Sequence, residues 1–178
     1  MRVIAGQKRG KKLDRLKDEA VRPTTDKVKE SIFNVIQFDV AGASFLDLFA
    51  GSGQIGIEAL SRDARQATFV DENRDAINVI KRNLTATDFM ARATVVNMDS
   101  ALFLKKQDEG SFDIAFLDPP YRSEVLDVAL LLLPRVIAKG GIIICEHPAA
   151  LDLPISLANF RLTKAYKYGK IAVSVYRD

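Results

Sequence analysis

The sequence predicts an α/β fold with a mostly parallel sheet, and two patterns carry this prediction. From residue 44 onward, short apolar runs alternate with stretches in which apolar residues recur at helical spacing. Strands that alternate with helices in this way are typical of βαβ units, whose strands run parallel. Near the end of the chain, two strand-like runs at 160–168 and 171–176 are joined only by Gly169 and Lys170, which predicts a closing antiparallel hairpin.

The first forty residues predict a basic extension followed by one helix. Residues 1–30 contain ten Lys or Arg and five Asp or Glu, so they carry a charge of +5 within a chain whose net charge is +3. Residues 2–5 predict a short strand, and 6–12 predict a glycine-flanked basic loop. The stretch 25–37 has apolar residues on one helical face and Thr24 or Thr25 as its cap. Such a segment suits contact with phosphates, although a solvated basic tail would have the same composition.

Acidic residues recur near the carboxyl ends of the predicted strands. The acids and their strands are Asp47 in 45–49, Asp71 after 67–70, Asp99 after 94–96 and Asp118 after 112–117. The intervening helices are predicted around 55–60, 76–84, 102–103 and 125–133, and the last parallel strand at 141–145. Open α/β sheets bind their ligands beyond the carboxyl ends of the strands, so a ligand site is predicted there.

Composition predicts one domain of ordinary size, with residues 1–40 as the extension and 41–178 as the core. Of the 178 residues, 48% are apolar, which is enough for a single core. The lone cysteine, Cys145, excludes an internal disulfide and is expected to be a packed thiol. The lone histidine, His147, has no second metal ligand or nucleophile beside it, so a structural role without metal is expected. No stretch is apolar for long enough to cross a membrane and no signal peptide is recognisable, so a cytoplasmic protein is expected.

A glycine-rich loop, 51–56, lies between the first predicted strand and a helix. Its sequence Gly-Ser-Gly-Gln-Ile-Gly, with Asp71 twenty residues after Gly51, matches the fingerprint of dinucleotide-binding proteins. Asp47 lies just before this loop, and its carboxylate would repel a pyrophosphate but attract an ammonium or sulfonium group. The acids therefore favour a cationic cofactor, although each one could also serve only to cap the following helix.

The stretch Asp118-Pro119-Pro120-Tyr121 is the most informative about chemistry. It follows a buried-strand pattern and combines an acid, two rigid prolines and an aromatic ring. Proline fixes φ and lacks an N–H, so the carbonyl groups of Asp118 and Pro119 can be directed at a ligand. These features predict a rigid polar slot with a stacking face, suited to a planar amine. In isolation, a strand that ends at a Pro-Pro turn would be a sufficient explanation.

These motifs together resemble a known family. The stretch Asp47-Leu-Phe-Ala-Gly51-Ser-Gly53, followed by the tetrapeptide, is similar to class I S-adenosylmethionine-dependent methyltransferases that modify exocyclic amino groups. Four N-terminal stretches narrow the resemblance to the RsmD family, which methylates N2 of a guanine in bacterial 16S ribosomal RNA. They are residues 2–6, 8–10, 22–24 and 27–34. The resemblance spans essentially the whole chain and implies a Rossmann-like, seven-stranded, mostly parallel sheet with an antiparallel C-terminal hairpin.

The resemblance implies S-adenosyl-L-methionine as the cofactor. The methionine end is expected at the glycine loop and Asp47, the ribose at Asp71, and the adenine at Asp99. The implied cofactor-binding residues are Asp47, Phe49, Gly51, Ser52, Gly53, Asp71, Glu72, Met98, Asp99, Ser100 and Asp118. Asp71 stands where glutamate is common in this family, and Lys27 stands where many members carry arginine. Neither departure changes the charge.

The resemblance also implies catalytic residues and an RNA partner. The catalytic residues are Asp118, Pro119, Pro120 and Tyr121. The Asp118 carboxylate and the Pro119 carbonyl would accept hydrogen bonds from the guanine amine, and Tyr121 would stack on the flipped base. The implied RNA-binding residues are Lys8, Arg9, Lys11, Lys12, Arg22, Thr24, Lys27 and Lys29. The expected partner is 16S ribosomal RNA in the small subunit or an assembly intermediate, bound by a monomeric enzyme.

Three alternative functions remain open on the sequence alone. A DNA adenine-N6 methyltransferase would use the same tetrapeptide, although the chain is short for a separate target-recognition domain. A nicotinamide-dependent oxidoreductase would use the glycine loop, although no hydride-transfer partner is recognisable. A non-enzymatic RNA-binding module would need only the basic segment, and the strand-end acids argue against it.

Overall fold

The computed structural model describes residues 1–16, 25–120 and 123–178. The helices within these ranges are α1 (Asp26–Val35), α2 (Gln54–Ser61), α3 (Arg74–Thr87), α4 (Ser100–Lys106) and α5 (Ser123–Val136), with a 3-10 turn at Met90–Arg92. The strands are β1 (Ser44–Leu48), β2 (Gln66–Asp71), β3 (Ala93–Asn97), β4 (Phe112–Leu117), β5 (Ile137–Pro148), β6 (Ser156–Leu157), β7 (Phe160–Tyr168) and β8 (Ile171–Arg177). The predicted helix near the N-terminus is confirmed, with the Thr25 side chain accepting a hydrogen bond from the Val28 amide as its cap.

All strands belong to one sheet, in the order β3-β2-β1-β4-β5-β8-β7-β6. Strands β1 to β5 pair in parallel, whereas β8 is antiparallel to both β5 and β7. The predicted α/β class and the closing hairpin are therefore confirmed. The implied number of seven strands is wrong, because the chain folds back after Leu157 and the two-residue β6 pairs with the start of β7.

The sheet is covered by helices on both faces. On one face, α1, α2 and α3 pack against strand residues such as Phe45 and Phe69. On the other face, α4 and α5 pack against Leu46 and Leu117, with Cys145 buried among them. Central strands that are buried on both faces are typical of parallel sheets. The expectation that Cys145 is a packed thiol is confirmed, and burial raises the pKa of this thiol.

The register of the parallel strands brings their carboxyl ends to one edge of the sheet. Leu48 at the end of β1 pairs with Val70 in β2 and with Leu117 in β4. Asp71 in turn pairs with Asn97 at the end of β3. The loops that follow these four strands therefore share one edge, which positions the predicted site.

The N-terminal segment is attached to α2 by a buried carboxylate. The Ile4 and Ala5 amides donate to the Glu58 carboxylate, at 2.7 and 3.0 Å. The predicted strand at 2–5 is therefore wrong, apart from a single bridge between Arg2 and Lys12. Its backbone groups bond to a side chain of α2 instead of to a neighbouring strand.

The lone histidine has the structural surroundings expected from the sequence. His147 is buried at the end of β5, with Nε2 2.9 Å from the Ser174 hydroxyl and Nδ1 3.0 Å from the Pro148 carbonyl. Because a carbonyl can only accept, the neutral ring carries its proton on Nδ1 and Nε2 accepts from Ser174. Burial lowers the pKa of this imidazole, which favours that neutral form. Within the described ranges, no helix combines the length and the apolarity that crossing a bilayer requires.

Candidate active site

A cavity lies at the carboxyl edge of the sheet, where the loops after β1, β2, β3 and β4 meet. Its lining residues are Phe49, Val70, Asp71, Glu72, Asn73, Met98, Asp99, Ser100, Asp118, Pro120 and Val125. Most of these residues were predicted from the sequence as cofactor-binding or catalytic. The structure thus brings together acids from four strand ends that are as far apart in sequence as Phe49 and Asp118. Sequence reasoning missed Val70, Asn73 and Val125, which carry no charge and match no motif.

The glycine loop leaves β1 through residues with positive φ. Gly51 and Gly53 have φ values of 54° and 76°, which glycine adopts without a Cβ clash. Phe49 has a φ of 68° although it is not glycine. Backbone strain of this kind costs about 1–3 kcal/mol and is concentrated at functional sites. Its position on the cavity wall gives Phe49 a reason to be held in this conformation.

The third glycine of the motif allows α2 to lie directly on the sheet. A Cβ atom at Gly56 would be 2.3 Å from the Phe69 ring of β2. Only glycine fits there, so the start of α2 and the loop before it approach β2 closely.

The Asp71 carboxylate connects the ends of β1 and β2. One of its oxygens accepts from the Gly51 amide at 2.8 Å, and the other accepts from the Asn73 amide at 2.9 Å. Burial raises the pKa of Asp71, whereas these two backbone donors act in the opposite direction. Each carboxylate oxygen has a second lone pair, so Asp71 keeps acceptor capacity for a ligand in the cavity that it lines.

Asp47 lies beneath the glycine loop and does not line the cavity. Its side chain is 2% exposed, and its carboxylate accepts a hydrogen bond from the Gly56 amide at 2.8 Å. Burial raises the pKa of Asp47 to about 7, with a further contribution from the charge of Asp71 and an opposing one from the Gly56 amide. Gly51, Ser52 and Gly53 are likewise absent from the cavity wall. For these residues the predicted contact with a cofactor stays a prediction.

The third acid, Asp99, has two functions in the structure. Its carboxylate accepts from the Leu102 amide at 2.8 Å and so caps α4. The same residue lines the cavity together with Met98 and Ser100. Capping and ligand contact are therefore compatible at this position.

The tetrapeptide after β4 forms a second part of the cavity wall. Asp118 is half-buried and lines the cavity with Pro120, which is exposed. Pro119 is buried and is not on the cavity wall. Tyr121 lies outside the described residues, so its predicted stacking role stays a prediction. Among the described residues, no group of three or more His, Cys, Asp or Glu side chains could hold a metal ion.

The predicted RNA-binding residues separate into different groups. Arg9, Lys11, Lys12 and Lys27 are exposed. Lys8 is half-buried, with its ammonium group 5.7 Å from the centre of the Phe89 ring. Arg22 and Thr24 lie outside the described residues. The exposed cations remain available to phosphates.

The prediction that Lys29 contacts RNA is wrong. Its side chain is fully buried and donates to the Arg2 carbonyl at 2.6 Å, with the Glu58 carboxylate 3.6 Å away. Burial lowers the pKa of Lys29, and Glu58 opposes this effect. The Arg62 side chain completes the cluster by donating to Glu58 at 2.9 Å. Lys29 therefore fixes the N-terminal segment to the core instead of facing a ligand.

A second residue that sequence reasoning missed, Asn83, connects the N-terminal segment to the glycine loop. Its side chain accepts from the Asp14 amide at 2.8 Å and donates to the Asp14 carbonyl at 3.1 Å. It also donates to the Ser52 carbonyl at 2.9 Å. The available signal was a polar residue on the apolar face of α3, three positions after Ile80.

Comparisons with known proteins agree with this arrangement. The family model described as "Conserved hypothetical protein 95" matches residues 1–177. Ribosomal RNA small subunit methyltransferase D from Haemophilus influenzae is 43% identical, over 100% of this chain and 94% of its own length. The protein of the same name from Escherichia coli is 36% identical, over 99% of this chain and 89% of its own length.

A solved structure shows the same fold. The chain from Escherichia coli provisionally named methyltransferase yhhF superposes with a TM-score of 0.89 at 36% identity, covering 99% of this chain and 97% of that one. The resemblance to the RsmD family that the sequence motifs indicated is confirmed. This chain therefore belongs to the Conserved hypothetical protein 95 family.

Proposed function

We propose that this chain transfers the methyl group of S-adenosylmethionine to N2 of a guanine in small-subunit ribosomal RNA. The observation that carries the proposal is the shared cavity, in which Asp71 and Asp99 lie in the same wall as Asp118 and Pro120. Relatives named ribosomal RNA small subunit methyltransferase D support the reaction and the class of substrate. The guanine N2 position follows from the resemblance to the RsmD family.

The cavity has donor and acceptor groups that fit the cofactor. Asp71 would accept hydrogen bonds from the ribose hydroxyls with its remaining lone pairs. Asp99 would accept one from the adenine amine, with Met98 against the ring. The glycine loop, held by the Asp71 bond to Gly51, would receive the methionine end. When bound there, S-adenosylmethionine supplies a methyl group activated by its sulfonium sulfur.

The protein's contribution to the chemistry is to orient a weak nucleophile. The N2 lone pair of guanine is delocalised into the ring, so the amine must be fixed as its nitrogen becomes tetrahedral. The Asp118 carboxylate and the Pro119 carbonyl would accept hydrogen bonds from its two N–H groups and direct the lone pair at the methyl carbon. Orientation of this kind is worth up to roughly 7–11 kcal/mol. Asp118 would also stabilise the positive charge that develops on nitrogen, and the proton would then leave to water.

The basic extension would hold the RNA while Tyr121 stacks on the flipped base. Phosphate contacts from Arg9, Lys11, Lys12 and Lys27 would supply affinity with little sequence information. In this proposal residues 1–40 form the RNA-binding extension of a single catalytic domain whose core is 41–178. The enzyme would act in the cytoplasm as a monomer on the small subunit or an assembly intermediate of it.

The decisive experiment incubates undermethylated small ribosomal subunits with the protein and methyl-labelled S-adenosylmethionine. The RNA is then digested to nucleosides and separated. Label in N2-methylguanosine is the expected result, and its absence from every RNA substrate would refute the proposal. Parallel reactions with naked 16S RNA and with duplex DNA identify the preferred substrate. Label in N6-methyladenosine of DNA alone would assign the protein to the DNA-modifying class.

A further inference from the structure

A second group of cations lies far from the N-terminal segment, on the hairpin formed by β7 and β8. It comprises Lys164, Lys167 and Lys170, which we call the hairpin lysines and which are all exposed. Residues 153–177 contain no Asp or Glu. Within the part of the chain that the structure describes, none of the three lysines forms an ion pair, whereas Arg177 at the end of β8 pairs with Asp39 at 2.8 Å. The hairpin lysines are thus a local excess of uncompensated charge.

The sheet register puts the tip of this hairpin at the edge that carries the cavity. Leu117, just before Asp118, pairs with Cys145 in the parallel strand β5. Strand β8 then pairs antiparallel with the end of β5, with Ile171 opposite Pro148. Since neighbouring strands are about 4.8 Å apart, β8 lies roughly 10 Å and β7 roughly 14 Å from β4. The phosphates that flank a nucleotide bound at Asp118 would lie within this range, because bases along a helical strand are about 3.4 Å apart.

Contacts with the core fix the position of the tip. The Tyr168 hydroxyl is hydrogen-bonded to the Ser31 hydroxyl of α1. Tyr166 and Tyr168 pack against the core cluster beneath α1, and the Lys170 carbonyl accepts from the Ala149 amide at 2.9 Å. The lysines therefore project from an ordered surface.

The same contact joins the hairpin to the N-terminal basic segment. Lys27 is exposed and lies one helical turn before Ser31, so the two residues share a face of α1. Ser31 in turn contacts Tyr168 at the hairpin tip. The exposed cations of the extension and those of the hairpin therefore border on each other.

We propose that the hairpin lysines bind the phosphate backbone of the RNA beside the target nucleotide, as a second contact surface that complements the N-terminal segment. This inference rests on the proposed function, because it takes RNA as the substrate. A cluster of ammonium groups without nearby carboxylates suits a polyanion, and phosphate contacts position RNA without reading its sequence. The hairpin lysines would hold the RNA from the side of the sheet opposite the glycine loop.

The test compares the wild type with the triple variant K164Q/K167Q/K170Q. Affinity for naked 16S RNA is measured by filter binding or fluorescence at several salt concentrations. Each lost phosphate contact lowers the slope of log affinity against log salt by about 0.7 for single-stranded RNA, so a decrease of about 2 is expected. The KM for RNA should rise at least about tenfold with kcat nearly unchanged. The affinity for S-adenosylhomocysteine should also be unchanged, because no hairpin lysine lines the cavity.

Arg161 provides a matched control. It is an exposed cation on the same strand, but it pairs with Arg177 at the opposite edge of the sheet. The variant R161Q should therefore keep the wild-type salt slope and KM. Equal losses in R161Q and the triple variant would overturn the proposal, because they would indicate a non-specific effect of net charge.

Two further outcomes would also overturn the inference. One is an unchanged salt slope and RNA affinity in a triple variant that is folded and binds S-adenosylhomocysteine. The other is a loss of affinity for assembled subunits with unchanged affinity for naked RNA, which would assign the surface to a ribosomal protein. Failure of the proposed function is distinguishable from both, because the wild type would then transfer no methyl group to RNA whatever the hairpin carries.

Discussion

The Asp71 carboxylate accepts a hydrogen bond from the Gly51 amide at 2.8 Å, although the two residues follow different strands. The acid at the end of β2 therefore holds the glycine loop that leaves β1. An acid at this position was expected from the sequence only as a partner for ribose hydroxyls. In the structure it is also a support for the loop, so one carboxylate links both parts of the proposed cofactor site.

The first prediction concerns this dual role. The variant Asp71→Ala removes the acceptor for the Gly51 and Asn73 amides and the proposed ribose contact. Hydrogen bonds to charged groups are worth about 1.5–3 kcal/mol each, so affinity for S-adenosylhomocysteine should fall at least about tenfold. Titration calorimetry measures this change. Asp75→Ala removes a nearby exposed carboxylate in the first turn of α3 and should leave the affinity unchanged. Equal affinities in all three proteins would contradict the assignment.

The second prediction separates chemistry from cofactor binding. Asp118→Ala should lower the rate of methyl transfer at least about 100-fold, or roughly 2.7 kcal/mol, because the amine loses its orienting acceptor. The affinity for S-adenosylhomocysteine should be nearly unchanged. Single-turnover transfer to RNA and calorimetry measure the two quantities. Glu124→Ala is the control, since Glu124 is an exposed acid in the first turn of α5. Near-normal transfer by Asp118→Ala would refute the role proposed for Asp118.

The third prediction tests the buried cluster under the N-terminal segment. Glu58→Gln leaves the Lys29 ammonium buried without its carboxylate. Breaking a buried pair in this way costs about 3–5 kcal/mol, so the free energy of unfolding should fall by that order. Urea denaturation measures the loss. The double variant Glu58→Gln/Lys29→Met removes the stranded charge and should recover part of the stability. A double variant less stable than Glu58→Gln would argue against an uncompensated charge as the cause.

The fourth prediction tests the close contact between α2 and β2. Gly56→Ala puts a methyl group 2.3 Å from the Phe69 ring, and overpacking of this kind costs about 1–3 kcal/mol. Replacing Phe69 by Leu makes room, so Gly56→Ala should cost less in the Phe69→Leu background. A double-mutant cycle of unfolding free energies measures the coupling. Strictly additive effects would show that the helix shifts away from the ring without cost.

The fifth prediction follows from the burial of Asp47, which raises its pKa to about 7. The unfolded value is about 4, so between these two pH values the folded protein keeps a proton that the unfolded chain has released. The free energy of unfolding therefore falls as the pH rises from about 4 to about 7, by on the order of 4 kcal/mol, and levels off above. Asp47→Asn cannot titrate and should lack this contribution. Denaturation of both proteins at pH 4.5 and 8 measures it. Identical pH dependence would mean that Asp47 is already ionised at pH 4.5 in the folded state.

The sequence predicted those parts of the site that depend on local patterns. Asp118 and Asp71 each follow a clear strand, and parallel strands bring their carboxyl ends to one edge. Strand ends therefore locate the cavity even when they are far apart in the chain. The closing hairpin was recognisable for the same reason, because its two strands are separated only by Gly169 and Lys170.

The parts that sequence reasoning missed depend on contacts between distant residues. Lys29 looked like one more cation of a basic segment, yet its partner Glu58 lies on another helix. The one available signal was that Glu58 interrupts an otherwise apolar stretch of α2, which indicates a buried acid in need of a partner. The link from Asn83 to Asp14 had no such local cue on the Asp14 side. Fixed positions in a loop become predictable only when the element that holds them is known.

The exposed edge of the sheet has a consequence for the behaviour of the protein at high concentration. Strand β6 covers only Phe160 and Arg161 of β7, so among the described residues the later part of β7 has unpaired backbone groups on one side. Such an edge is a template on which a strand of another chain can add, and exposed lysines are a common protection against this. Lys164 and Lys167 interrupt that edge. The charges that would attract a polyanion therefore also keep identical copies of this chain from joining sheet to sheet.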